Sequence, residues 1–176
     1  NFEFSKRPLK IAYFGVLTIG IRTPDNFLAF FDKLRLDEVE LHWYVNEDTK
    51  QMVKNRSSTN INNVFHDMVP RRDAISLMVN EYHALLNIGN TNSFQLPSKV
   101  IEYISTGKPI VHFSEINNDS AESILKARSN AIIISGNSDL NFVRREINDK
   151  LFSDMDMTSV DKYSSRSVTD ELVKLI

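Results

Sequence analysis

The sequence predicts an α/β protein, a doubly wound parallel sheet of about six strands with helices on both faces, Rossmann-like in plan. Three observations predict it. Short apolar runs alternate with segments of helical period through most of the chain. The apolar runs are nearly all apolar rather than alternating, as in a parallel sheet covered on both faces. Glycine or proline punctuates many of the joints, as turns between strands and helices require.

Each element follows from its local pattern. Leu9–Gly15 (LKIAYFG) is an apolar run ending in glycine, a buried strand. Pro24–Leu36 sets Phe27, Leu28, Phe31 and Leu34 at helical spacing, with Pro24 in the first turn and Thr23 as the expected N-cap. Val39–Val45 is the second strand, Asn46–Arg56 a short polar helix and Val64–Met68 a weaker strand. Pro70–Tyr82 reads as a helix with Ala74, Ile75, Leu77, Met78 and Val79 on its apolar side. His83–Gly89 (HALLNIG) is a strand. Pro97–Thr106 is a helix closed by Gly107, with Pro109 just beyond. Pro109–Phe113 and Ala131–Ser135 are strands, flanking a helix at Ala121–Arg128. Ser138–Phe152 is a helix capped by Ser138, and Val168–Ile176 a terminal helix after the polar stretch Ser153–Arg166.

Composition removes several function classes. The 176 residues suit one domain, and 41% hydrophobic with 25% charged is an ordinary globular balance. With 21 basic against 23 acidic residues the net charge is -2, so no bulk positive field exists to draw in nucleic acid. There is no cysteine, which excludes disulfides, thiolate metal sites and thiol catalysis. No apolar run approaches a membrane span and no signal peptide opens the chain, so the expected location is cytoplasmic. Because Asn1 is not a start methionine, the chain is expected to be an excerpt from a longer protein.

In a doubly wound sheet, ligands bind at the carboxyl ends of the strands beside helix N-termini. The first such loop, Gly15-Val16-Leu17-Thr18-Ile19-Gly20-Ile21-Arg22, has two glycines but puts Ile21 and Arg22 where a P-loop needs Lys and Ser or Thr. A Gly-x-Gly-x-x-Gly fingerprint is also absent. Arg22 is either a cation aimed at a phosphate or a solvated loop arginine. The dense segment is Gly89–Pro109, where a polar loop with Asn90, Thr91, Asn92, Ser93 and Gln95 leads into a helix at Pro97-Ser98-Lys99. The first amides of that helix favour an anion. Glu102, one turn in, is of the type that accepts hydrogen bonds from a ribose diol. The same spacing equally describes a Lys99–Glu102 surface pair worth about 0.2–0.5 kcal/mol.

The run Leu96-Pro97-Ser98-Lys99-Val100-Ile101-Glu102-Tyr103-Ile104-Ser105-Thr106-Gly107-Lys108-Pro109-Ile110-Val111 resembles the donor-site motif of retaining glycosyltransferases of the GT-B fold, family 4 type. LKIAYFG resembles the first strand of that family's C-terminal half, Phe65–Pro70 its base-facing turn, and the C-terminal YSSRSVTDELVKLI its last helix. The resemblance implies the C-terminal, nucleotide-sugar-binding half of such an enzyme. It implies residues 1–8 as a linker from a missing acceptor-binding N-terminal domain and 9–176 as the donor domain. Glu102 matches the ribose-binding second glutamate of the family's E-x7-E motif, and Ser98 and Lys99 the phosphate end of the helix. Arg22 stands roughly where a basic residue neutralises the diphosphate, after the turn at Gly15. The first glutamate is replaced by Phe94, and no acidic residue lies between Asn90 and Val100, so Asn92 or Gln95 is expected at the donor sugar. Catalysis would rest on Lys99 and Arg22 acting on the leaving diphosphate, with a nucleoside-diphosphate sugar as substrate and neither cofactor nor metal. Surface-polysaccharide or glycoconjugate synthesis, with membrane contact only through the missing half, is the expected setting.

Smaller features have mostly structural readings. His42 and His112 sit in strands as core or edge residues, whereas His66, at a strand end, is a candidate contact to base or diphosphate. No histidines stand at metal-ligand spacing. Arg71-Arg72 opens a helix against its dipole and so asks for a phosphate, the missing domain or solvent as partner. A receiver-like signalling domain is disfavoured, since no acidic cluster follows the first strand. A non-catalytic nucleotide-binding or assembly module is the alternative.

Overall fold

The computed structural model describes residues 8–36, 38–92, 98–117 and 119–151. The linker before Pro8, Gln95, Pro97, Ser153–Arg166 and the helix expected at Val168–Ile176 lie outside or at the margin of these ranges. Six strands form one parallel sheet: β1 (Leu9–Phe14), β2 (Val39–Tyr44), β3 (Asn62–His66), β4 (Ala84–Ile88), β5 (Ile110–Ser114) and β6 (Ala131–Ser135), in the order β3-β2-β1-β4-β5-β6. The helices between and after them are α1 (Asp25–Leu34), α2 (Glu47–Lys54), α3 (Arg71–Asn80), α4 (Ser98–Ser105), α5 (Ser120–Leu125) and α6 (Leu140–Leu151). The predicted doubly wound fold is the one observed.

Alternation within strands decides the two cores. Leu9, Ile11 and Tyr13 of β1 pack with Leu41 and Trp43 of β2 against Phe27 and Phe31 of α1, Val53 of α2 and Val143 and Ile147 of α6. Ala12 and Phe14 face the opposite way, onto Ala74 and Met78 of α3, Val100, Tyr103 and Ile104 of α4, and Leu125 of α5. Apolar side chains on both faces of each central strand explain why these segments read as unbroken apolar runs. Trp43, Phe27, Phe30 and Phe31 are buried.

The differences from sequence are at the helix starts and at β3. Pro24, not Thr23, occupies the N-cap of α1 without a side-chain bond, and the Thr23 hydroxyl bonds the Asp25 carboxylate instead. Asp139 caps α6 by accepting from Phe142 N–H at 2.7 Å, while Ser138 Oγ accepts from Ser135 N–H within the preceding turn. The helix therefore begins two residues beyond the expected cap, at Leu140. In α3 only Ala74 and Met78 are buried, so its apolar stripe is narrower than the five residues suggested. β3 begins at Asn62, because Trp43 Nε1–H donates to Asn63 at 2.7 Å and gives that polar end a reason to pair.

The strand order reverses between β1 and β4, and there the sheet splits. Their pairing covers only Ile11–Ala84 and Ala12–Leu85, although β1 runs on to Phe14 and β4 to Ile88. Such a reversal opens a crevice at the carboxyl edge, where ligands of doubly wound sheets bind.

Candidate functional site

The split is braced from α4. The Phe14 amide has lost its strand partner on the β4 side, and it donates to the Tyr103 hydroxyl at 3.0 Å, while that hydroxyl lies 3.3 Å from Phe14 C=O. Burial pushes the Tyr103 phenol far up, so it stays a neutral donor and acceptor. The next residue, Gly15, turns the chain out at φ 148°, a backbone state that residues with a Cβ rarely adopt. Its amide still pairs with Tyr44 C=O at 3.2 Å.

From Gly15 the chain forms a tight hairpin, closed by Thr18 and Arg22, whose amides each donate to the other's carbonyl at 2.9 and 2.8 Å. This hairpin docks on the loop after β4. Thr91 N–H donates to Ile21 C=O at 2.8 Å, and the Thr91 hydroxyl to Gly20 C=O at 2.9 Å. Arg22 is thereby fixed beside Asn90, donating to its Oδ1 through Nε at 3.0 Å and Nη2 at 2.7 Å. The loop leaves β4 at Gly89, where a Cβ would stand 2.3 Å from Asp119 Oδ2 and 3.1 Å from Phe113 C=O. Only glycine lets Asp119 sit against that backbone. Asp119 also accepts from Ala121 N–H at 2.7 Å and faces His112, and these contacts outweigh burial to hold its carboxyl below its ordinary value.

Lys99 and Glu102 lie on the outer side of α4, opposite the buried Val100, Tyr103 and Ile104. The Glu102 side chain is only 8% exposed and is held by two cations, Lys99 Nζ on Oε2 and Arg71 Nε on Oε1 at 2.7 Å. Burial opposes its ionisation, but the hydrogen bonds and charges of Lys99 and Arg71 prevail and keep the carboxyl below its ordinary range. The i,i+3 pair therefore exists, but with a third member 31 residues upstream that helical spacing could not reveal.

A pocket of about 170 Å³ opens beside this cluster. Phe14 and Gly15 from the end of β1, Met68 and Val69 before α3, Arg71 and Lys99 line it. Its walls are apolar, its rim is cationic, and it lies at the carboxyl edge by the switch point. A larger cleft of about 790 Å³ lies between α1 and the ends of β5 and β6. Glu115 and Glu122 line that cleft against one lysine, Lys33, so it repels a polyanion. The smaller pocket has the chemistry for a ligand with an apolar part and a negative charge.

The structure thus gathers Gly15, Lys99 and Glu102 at one place and fixes Arg22 on Asn90 at the same edge. Ser98 begins α4, and Asn92 carries a buried Oδ1 with no partner among the described residues. His66 stands behind the pocket wall, against Tyr44, which also lines the pocket. Its Nε2 lies 2.9 Å from His42 Nδ1 and its ring stacks 4.4 Å from that of Tyr44. Since His42 Nε2 faces the Glu40 carboxylate at 3.0 Å, His42 carries its proton there and Nδ1 accepts from His66. Among the described residues no group of three or more His, Asp and Glu is placed to hold a metal ion. No described helix is long and apolar enough to cross a membrane.

The fold resembles that of solved glycosyltransferases. The apo structure of the lipopolysaccharide outer core galactosyltransferase WaaB aligns with 99% of this chain and 51% of its own, at TM-score 0.65 and 15% identity. TarM aligns with 97% of this chain and 35% of its own, at TM-score 0.64 and 13% identity. The pneumococcal O-GlcNAc transferase GtfA, solved with UDP and GlcNAc, aligns with 97% of this chain and 35% of its own, at TM-score 0.58 and 12% identity. The chain thus spans about half, or less, of the length of these structures. No family model matches the sequence, and no curated protein matches it. The sequence identities are low, so the likeness is one of fold.

Proposed function

We propose that this chain is the nucleotide-sugar-binding, C-terminal half of a retaining GT-B glycosyltransferase of the family 4 type. The observation that carries the proposal is Glu102: a buried, ionised carboxylate one turn into α4, beside a pocket rimmed by Gly15, Arg71 and Lys99. A carboxylate there accepts the two hydroxyls of a ribose. The first amides of α4, from Ser98 onward, with Lys99 and Arg22, hold the diphosphate. As the glycosidic bond to the donor breaks, negative charge grows on the departing nucleoside diphosphate. Fixed cations and amides stabilise that charge more than the ground state, which lowers the barrier. Arg22 suits this task because the bond to Asn90 fixes it before substrate arrives. Asn92 and Gln95 are assigned to the donor sugar, and His66 is assigned a remoter role near the base.

The acceptor belongs to a preceding domain, joined through residues 1–8. The exposed apolar side chains Val16, Ile19 and Ile21 on the hairpin and Met68 on the next loop suit a face that meets such a partner. On this reading the chain alone binds nucleotide without turnover, and any membrane contact, at the cytoplasmic side, is made by the other half. Phe94, in place of an acidic residue, favours a second reading: a non-catalytic nucleotide-binding or assembly module.

The test is thermal stability against UDP, GDP, ADP, CMP and their sugars, with Glu102→Ala beside the unaltered chain. A ligand at 100 times its Kd adds about 2.7 kcal/mol, a rise of roughly 5–11 °C for a chain of this size. A shift with a nucleoside diphosphate that Glu102→Ala abolishes supports the site. No shift across the panel from a cooperatively melting protein rejects it.

A further inference from the structure

We infer that Arg71 selects the base of the bound nucleotide: with its Nε tied to Glu102, its terminal amino groups favour a base bearing a carbonyl oxygen over adenine. The inference rests on the nucleotide reading above and deepens it. Arg71 is the first residue of α3, where a cation opposes the helix dipole. Its side chain is 80% exposed, so burial does not hold it there either. Its one charged partner among the described residues is Glu102, reached across the gap between α3 and α4 at 2.7 Å.

Three features give that arrangement a use. First, the bond is made through Nε alone. It fixes the plane of the guanidinium and leaves Nη1 and Nη2, four of the five donors, without a protein partner among the described residues. Second, an ionised carboxylate has about four acceptor positions. Arg71 and Lys99 take one on each oxygen of Glu102, so two remain for a vicinal diol and Arg71 stays in place when ribose binds. Third, the base is attached to the ribose carbon next to the 2′-hydroxyl. A guanidinium bonded to the carboxylate that holds this hydroxyl is therefore within reach of the base edge, from the α3 side, while Lys99 meets the same carboxylate from α4 itself. Arg71 also lines the pocket, whose remaining walls at Phe14, Met68 and Val69 offer apolar contact to a flat ring.

A guanidinium only donates. It matches the exocyclic oxygen of uracil, guanine or hypoxanthine. On adenine it meets an amino group that also donates. Adenine keeps only ring nitrogens as acceptors, so it loses this contact while keeping the ribose and phosphate ones.

The test compares UDP, GDP, IDP and ADP by isothermal titration, on the unaltered chain, Arg71→Ala and Arg71→Lys. IDP and ADP are the decisive pair, since they differ only by an oxygen against an amino group at C6 and the proton that the oxygen brings to N1. The unaltered chain is expected to bind IDP about tenfold tighter than ADP. Arg71→Ala is expected to bring the two within about twofold, mainly by weakening IDP, and Arg71→Lys to keep charge without restoring the ratio. Arg71 is exposed but shares the buried Glu102 carboxylate with Lys99, so its removal should lower the ligand-free melting temperature by a few degrees, and the ratio is read at a temperature where all three chains are folded. A ratio near one in the unaltered chain overturns the inference and leaves the nucleotide reading intact. So does a ratio that survives in Arg71→Ala, or an equal weakening of all four ligands. Failure of every nucleotide to bind rejects the nucleotide reading, and this inference falls with it.

Discussion

Tyr103→Phe is the most informative single change in the scaffold. It deletes one oxygen and leaves the ring in the core of α4. That oxygen is the hydrogen-bond partner of Phe14 N–H, at 3.0 Å, in a stretch where β4 has already parted from β1. Removing it leaves a buried amide without a partner and takes the nearest donor from Phe14 C=O, 3.3 Å away. An unsatisfied buried group costs about 1–3 kcal/mol, whereas a simple exchange of equal hydrogen bonds would cost nearly nothing. For a domain of this size that is a fall of roughly 2–12 °C in melting temperature. Calorimetry of the two chains at one pH gives the number directly. A change of less than about 1 °C would refute the reasoning, because it would mean that Phe14 finds another partner in the split. Since Phe14 leads into Gly15 and the hairpin bearing Arg22, nucleotide affinity should fall with stability, through displacement of the loop rather than loss of a contact.

Three further outcomes are expected. Gly89→Ala forces a Cβ to within 2.3 Å of Asp119 Oδ2, so it should cost about 1–3 kcal/mol by overpacking, read as a lower urea midpoint; an unchanged midpoint would mean that Asp119 yields freely. Arg22→Ala should weaken UDP binding severalfold and also lower the ligand-free melting temperature, since Arg22 bonds the buried Asn90 and Tyr13; unchanged affinity in the folded variant would remove Arg22 from the diphosphate. Burial lowers the imidazole pKa of His42, of His66 with help from His42, and of His83 with help from Lys108 and Lys10. Below about pH 6.5 the unfolded chain takes up protons that the folded one resists, so this part of stability is full above that pH and is lost as pH falls. Melting temperatures at pH 7.5 and 5.5 should differ in that direction, and His83→Asn should narrow the gap; a flat profile would contradict it.

How much of this was legible in the sequence depends on how far apart the cooperating residues lie. The strands could be read because burial on both faces forces unbroken apolar runs, as in ALLNI of β4. Lys99 and Glu102 could be paired because three residues bring them to one face of a helix. Arg71 could be flagged as misplaced at a helix start, but its partner could not be named, since α3 and α4 meet only after β4 is laid down between them. His66 was readable as a strand end and not as the neighbour of His42, because adjacent strands of a parallel sheet are separated by a whole helix. Thr23 and Ser138 were preferred as caps on residue type. The structure uses Pro24 and Asp139 because the Thr23 hydroxyl bonds the Asp25 carboxylate and the Ser138 hydroxyl bonds back into its own turn.

The split between β1 and β4 and the chemistry around it belong to one construction, and α4 is its hinge point. One side of α4 roots in the sheet through Val100, Tyr103 and Ile104, and the Tyr103 hydroxyl mends the backbone that the split leaves unpaired. The other side carries Lys99 and Glu102 to the pocket rim. A helix anchored in this way cannot move its charged face without breaking bonds to β1. The β1 end in turn positions Gly15 and, through the hairpin and Asn90, Arg22. Asp119 pressed on Gly89 fixes the start of the same loop. Arg22 is therefore held by a neutral amide, and Lys99 and Arg71 by the Glu102 carboxylate, before any anion binds. Such prior fixing is what electrostatic stabilisation of a developing charge requires, because a site that must reorganise spends part of its interaction on doing so.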